Sequence, residues 1–191
     1  MKTVTLLLAL LAISHNAPGV ELSKGGDVAY YTKLRMEFAH RPGYEPGWQA
    51  LDERKAVVDA YRAGDLSKTM KLGTAWLDKT PVDAEVYLML AMVAKEQGNF
   101  KGYCEYIAPF YGLLQSITSE GDGRTPETAF KVIAVDEEYF LLREIGAKVK
   151  KQSLVGQCDR MEVERKGGVT YTIYFDVSIS FQAMNRLFEK K

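Results

Sequence analysis

Two short segments, Gly64-Asp65 and Gly98-Asn99, lie 34 residues apart, and each separates two stretches of helical periodicity. Glycine followed by Asp or Asn is a strong local breaker, and Thr80-Pro81-Val82-Asp83 supplies a third joint between them. Four helices follow from these joints, at about 49–63, 66–78, 83–97 and 100–117, with Leu66 and Phe100 in equivalent places just after the turns. A repeat of this length is one pair of helices whose apolar face must be covered by the next pair. Two pairs leave open ends, so the rest of the chain has to cover them.

The period is that of tetratricopeptide repeats, and Pro81 falls where such a repeat ends, although the full consensus is missing. The third helix is apolar all round from Val86 to Ala94, which predicts a helix enclosed by neighbours. In the fourth, Phe100, Tyr103, Ile107, Phe110 and Leu114 make one face, Cys104 lies beside it and is expected inside, and Pro109 is expected to kink or split the helix. Ahead of the repeat, Asp27 can cap a helix over Val28–Ala39 with Tyr30, Leu34 and Phe38 on its inner face. His40 and Arg41 end that helix, where positive charge is favoured. Two prolines and two glycines then break regular structure between Arg41 and Gly47.

After Ser119 the pattern changes. Gly121-Asp122-Gly123 reads as a turn, Ala129–Val135 as a strand, and Asp136 as the cap of a helix that Gly146 ends. A strand near 148–155 is followed by a hairpin of 158–166 and 169–178 about Gly167-Gly168, then a short helix over Phe181–Phe188. Alternation turns Met161, Val163, Val169, Tyr171, Ile173, Phe175 and Val177 inward. The expected fold class is α+β: tetratricopeptide-like helical hairpins (20–119) packed against a small antiparallel sheet with a terminal helix (120–191), as one compact unit.

The opening residues carry an address. Lys2, an apolar run over Thr3–Ile13 and small or turn-forming residues to Gly19 make the three parts of a secretory signal, with cleavage after Ala17 or Gly19. The run is too short to span a bilayer, which takes roughly 20 residues, so a periplasmic or extracellular protein with no stable membrane anchor is expected. Formal net charge is zero and no basic stripe exists, which removes the electrostatic basis for nucleic-acid binding. An oxidising compartment permits a disulfide between Cys104 and Cys158, but alternation puts Cys158 on the outward face, against it. With two Cys and His40, no zinc cage can form, and neither a metal nor a cofactor is expected.

Gly121-Asp122-Gly123-Arg124-Thr125-Pro126-Glu127-Thr128-Ala129-Phe130-Lys131-Val132-Ile133, then Glu137-Glu138-Tyr139 and Tyr174-Phe175-Asp176, resemble the bacterial family DUF4919. Tyr31–Leu34 with Arg35, and Tyr44-Glu45-Pro46, resemble its N-terminal part, so the likeness covers nearly the whole chain after residue 19. The resemblance implies a bacterial origin and supports the boundaries; it implies no reaction.

Asp122 is read first as a turn residue, since Arg124 stands where a calcium loop would need an oxygen. Asp136, Glu137 and Glu138 open a helix, where the dipole favours negative charge. Tyr31, Tyr44 and Trp48, with Tyr30, are aromatics that either fill a core or grip a peptide. The leading expectation is a non-enzymatic exported protein that binds a protein or peptide through its helical half, with an immunity or inhibitor protein as one version. The alternatives are a hydrolase of cell-wall or polysaccharide substrates using Asp122, Glu127, Glu137 or Glu138, and a structural envelope component.

Overall fold

The computed structural model describes residues 27–188, so the signal sequence read at residues 1–19 lies outside the described part. Helix α1 (Val28–His40) is capped by Asp27, whose carboxylate accepts the Ala29 N–H at 3.0 Å. A single 3-10 turn at Trp48–Ala50 leads into α2 (Asp52–Arg62), α3 (Leu66–Lys79), α4 (Ala84–Glu96) and α5 (Phe100–Thr118). The two joints 34 residues apart are copies of one another. Gly64 and Gly98 have φ of +73° and +71°. Asp65 and Asn99 send their N–H groups back to Ala60 and Ala94, and their side chains cap α3 and α5 at Lys68 and Gly102. Each joint therefore satisfies one helix's last carbonyls and the next helix's first amides within two residues.

Helix α4 is enclosed as expected: Ala84, Val86, Met89, Leu90, Ala91, Val93 and Ala94 are all buried. Gly73 of α3 makes room for Leu90, whose side chain would meet any Cβ there at 2.6 Å. Helix α5 runs through Pro109 as one element of 19 residues, so the expected break does not divide it. The inner face of α1 differs from the sequence reading. Tyr31, Arg35 and Phe38 are buried, Leu34 is half-buried, and Tyr30 is 57% exposed. An arginine on the buried stripe hid that stripe from a count of apolar residues.

The C-terminal half holds β1 (Phe130–Lys131), α6 (Val135–Glu144), β2 (Ala147–Val155), β3 (Cys158–Arg165), β4 (Thr170–Asp176) and α7 (Ser178–Phe188). The strand order is β1-β4-β3-β2. Strands β2, β3 and β4 pair antiparallel, but β1 lies parallel to β4, with Phe130 opposite Phe175. The sheet is therefore mixed rather than purely antiparallel. Its parallel strand is only two residues long and is extended by the Val132 N–H bonding to the Asp176 carbonyl. Helix α6 starts two residues earlier than expected: Ala134, not Asp136, is its N-cap, and Asp136, Glu137 and Glu138 occupy its first turn. One continuous cluster of buried apolar residues runs from Tyr31, Val57 and Leu90 through Phe110 and Phe140 to Met161 and Phe175. No helix among the described residues is long and apolar enough to cross a membrane.

Candidate functional site

The turn at Gly121–Thr128 accounts for two of the singled-out acids. Asp122 accepts the Arg124 N–H at 3.0 Å and the Thr128 hydroxyl at 2.6 Å. These bonds, the hydroxyl first, hold its carboxyl below the usual range. A side chain at Gly121 would strike the Thr128 carbonyl, and Gly123 has φ +69°. The Gly123 N–H donates to the Thr128 carbonyl, while its own carbonyl accepts the Tyr174 N–H, both at 2.8 Å. Thr125 caps the 3-10 turn that carries Glu127, which is exposed. The motif is thus a closed loop that pins β1 against β4.

The two cysteines exchange the places expected of them. Cys104 is exposed, whereas Cys158 is buried, and both thiols are free. Cys158 does lie on the outward side of the sheet, but the loop covers that corner, and its thiol sits 3.7 Å from the Pro126 carbonyl. Burial, then the charges of Asp176, Glu127 and Asp159, pushes the thiol's pKa up.

Glu137 and Glu138 are adjacent in sequence but serve different neighbours. Glu137 forms a buried bidentate pair with Arg35 of α1, at 2.8 and 2.5 Å. The same guanidinium donates to Ser116 of α5 at 3.3 Å and to the Lys131 carbonyl at 2.9 Å. Glu137 also accepts the Ile133 N–H at 2.9 Å, and the Ile133 carbonyl accepts from the hydroxyls of Tyr44 and Ser180. The cluster ties α1, α5, β1, α6, α7 and the Pro/Gly loop together. Glu138 is fully buried, and neither of its oxygens has a donor among the described residues. It faces a second carboxyl, Asp159 of β3, so the two groups can share only a proton. Burial, and then Asp159, pushes Glu138 up to about 9, which keeps it neutral at pH 7. Tyr139 points away from the core: it is 42% exposed and its hydroxyl meets Gln152, which in turn donates to Asp159.

A second buried ion cluster joins the hairpins to α6. Arg54 of α2 donates to Asp83 at 2.7 Å and to Glu85 at 2.5 Å; Trp76 donates to Asp83, and Arg143 of α6 donates to Glu85. Between the two clusters, Trp48, Val82, Leu113 and Phe140 line a cavity of about 20 Å³, room for a single water rather than a substrate. Tyr44 and Trp48 are each only 4% exposed and stack edge-on around Phe38. Asp122 and Glu127 thus sit on an exposed loop, Glu137 is spent on Arg35, and Glu138 is sealed against Asp159. The four carboxylates do not meet across one cleft. No group of three or more His, Cys, Asp or Glu among the described residues is placed to hold a metal ion.

The aromatic grouping that does reach solvent was only half visible in the sequence. Tyr30 and Tyr31 of α1 stand edge to face at 5.1 Å. Tyr87 of α4 and Tyr106 of α5 join them, close enough that the three other phenols, after burial, push Tyr87 up to about 12. Tyr31 is buried, with its ring over Gly112 of α5; Tyr87 and Tyr106 are half-buried, and Tyr30 is exposed. Tyr87 and Tyr106 come from α4 and α5, so only the packing of α1 across α5 brings the four together.

The model of a family described as a domain of unknown function (DUF4919) matches residues 28–186. The chain belongs to DUF4919. No curated protein and no solved structure matches the chain. The residues on which the likeness to DUF4919 rests now have physical roles. Arg35, Tyr44, Ile133 and Glu137 form the buried junction, and Gly121–Thr128 the loop that fastens β1. Arg54 and Asp83 are equally central to the packing, but Asp83 is legible in the sequence only as part of a joint and Arg54 not at all. Their pairing spans 29 positions and is visible only once α2 lies against α4.

Proposed function

We propose that this DUF4919 protein is an exported bacterial envelope protein that binds a protein or peptide partner through its helical half and performs no chemistry. The observation that carries the reading is the tyrosine cluster at the meeting of α1, α4 and α5. Tyrosine joins a large apolar ring to a hydroxyl and has few rotamers to lose, which is why it is enriched where proteins meet. Four phenols graded from buried Tyr31 to exposed Tyr30 offer a firm base with a wettable rim. The export step rests on the charged and apolar opening of the chain. The paired helices suit the role because stacks of tetratricopeptide type present their surfaces to partners. An immunity or inhibitor protein is one version of this function.

The test is a photo-crosslinking residue at position 30 of the exported chain, with the same residue at Val169 as control. Val169, expected inward, instead lies in the turn before β4, 64% exposed, on the far hairpin. The expected result is a discrete adduct from position 30 alone, lost when Tyr106→Ala is introduced. Equal labelling from both positions, or none from position 30, would sink the proposal.

A further inference from the structure

Strand β2 is the outermost strand of the sheet, and among the described residues no other backbone pairs with its free side. It is nine residues long, and Lys148, Lys150, Lys151, Gln152, Leu154 and Val155 are exposed. It contains three lysines and no acid. On its bonded side β3 answers those charges across a bulge between Val149 and Lys151: Glu164 lies opposite Lys148 and Glu162 opposite Lys151, while the extra residue, Lys150, reaches Glu164 at 2.8 Å. Residues opposite one another share a face, so the solved side of the seam shows the chemistry the open side would accept. A second copy does not supply it. Another β2 brings three more lysines and no acid to answer them, so the pairing of two copies would leave every lysine without an opposite charge, the device by which edge strands refuse their like. At its far end the lysines give way to Leu154, 55% exposed, and Val155, 43% exposed.

We propose that the free edge of β2 receives an extended segment of another protein as a fifth strand, with acidic side chains at alternate positions beside the lysines and apolar ones beside Leu154. Backbone bonds along the edge would supply affinity, and a Glu–Lys–Glu ladder across three strands would supply register and choice of partner. This site is separate from the tyrosine cluster and does not rest on it.

The probe is a synthetic peptide about as long as β2, with glutamate at alternate positions and valine or threonine between. Amide hydrogen exchange of the intact protein reads where it sits. The expected result is slowed exchange across residues 147–155, and none with the lysine-substituted peptide. Lys148→Gln with Lys151→Gln should weaken binding about tenfold, the loss of two exposed ion pairs. The proposal is overturned by an unprotected β2, by equal protection from the lysine peptide, or by full affinity in the double variant. It is also overturned if β2 becomes protected with rising protein concentration alone, which would make a second copy the occupant. A peptide that instead protects the amides around Tyr30 and Tyr106 would refute this site and leave the helical one standing.

Discussion

Arg35 is 1% exposed, yet it sits on the buried stripe of a helix and donates four hydrogen bonds. Removing a charge from water costs several kcal/mol, and Glu137, Ser116 and the Lys131 carbonyl together offset that cost. Arg35→Ala should therefore lose about 3–5 kcal/mol, the range for stranding one member of a buried pair. Replacing both partners, as Arg35→Met with Glu137→Leu, should recover part of the loss but not all, because the Ile133 N–H then loses its acceptor. Urea unfolding midpoints check the order: wild type, double variant, single variant. Glu138 makes the opposite prediction. Its folded pKa, about 9, lies above its ordinary 4.5, so the folded state holds a proton that the unfolded state releases. Stability is then full below about pH 4.5, falls as pH rises, and levels above about 9. The penalty at pH 7 is on the order of 3 kcal/mol. Glu138→Gln keeps the shape and can donate to Asp159 without a proton to lose. It should raise the melting temperature at pH 7 and flatten the fall in stability between pH 5 and 8; an unchanged slope would mean the carboxyl pair does not hold the proton.

At the scale of elements, the close approach of α1 to α5 depends on Gly112, where any Cβ would run into the Tyr31 ring. Gly112→Ala should cost about 1–3 kcal/mol by overpacking, although alanine is the better helix former. It should also disturb the tyrosine cluster, which near-ultraviolet circular dichroism would register. The helical half was the more legible part of the sequence because its signals are local. A glycine that must take positive φ and an Asp or Asn that caps the next helix stand side by side at both joints. The hairpin of β3 and β4 was legible for the same reason, through Gly167-Gly168 and strict alternation. What stayed hidden depends on distant partners. A strand was legible at Ala129–Val135, but that only Phe130-Lys131 pairs, and in parallel, follows from where β4 ends. Cys158 is buried by a loop some 30 residues away rather than by its own strand. Of the candidate site, Tyr30 and Tyr31 were visible as an aromatic pair, but Tyr44 and Trp48, grouped with them by sequence proximity, turned into core.

For the whole molecule, the main question is whether the two halves are domains or parts of one. Two helix pairs of this type bury too little to stand alone, and here the C-terminal half supplies the missing cover. Phe140 meets Phe110 edge-on, Arg143 reaches Glu85, and Glu137 reaches Arg35, so α6 alone makes one aromatic contact and two ion pairs with the helical half. A cut after Ser119 would expose Phe110, Leu113 and Ile117 and strand Arg35 without its carboxylate. The excised helical half should then lack a cooperative thermal transition and bind a dye for exposed apolar surface. The intact chain should unfold in one step, with helix content and tyrosine environment changing together. If instead the fragment up to Ser119 melts cooperatively with native tyrosine signals, the junction is an interface between independent domains, and the cost of Arg35→Ala should fall on their docking rather than on folding. The intact chain would then lose its coincident transitions, which separates the two architectures without any knowledge of the partner.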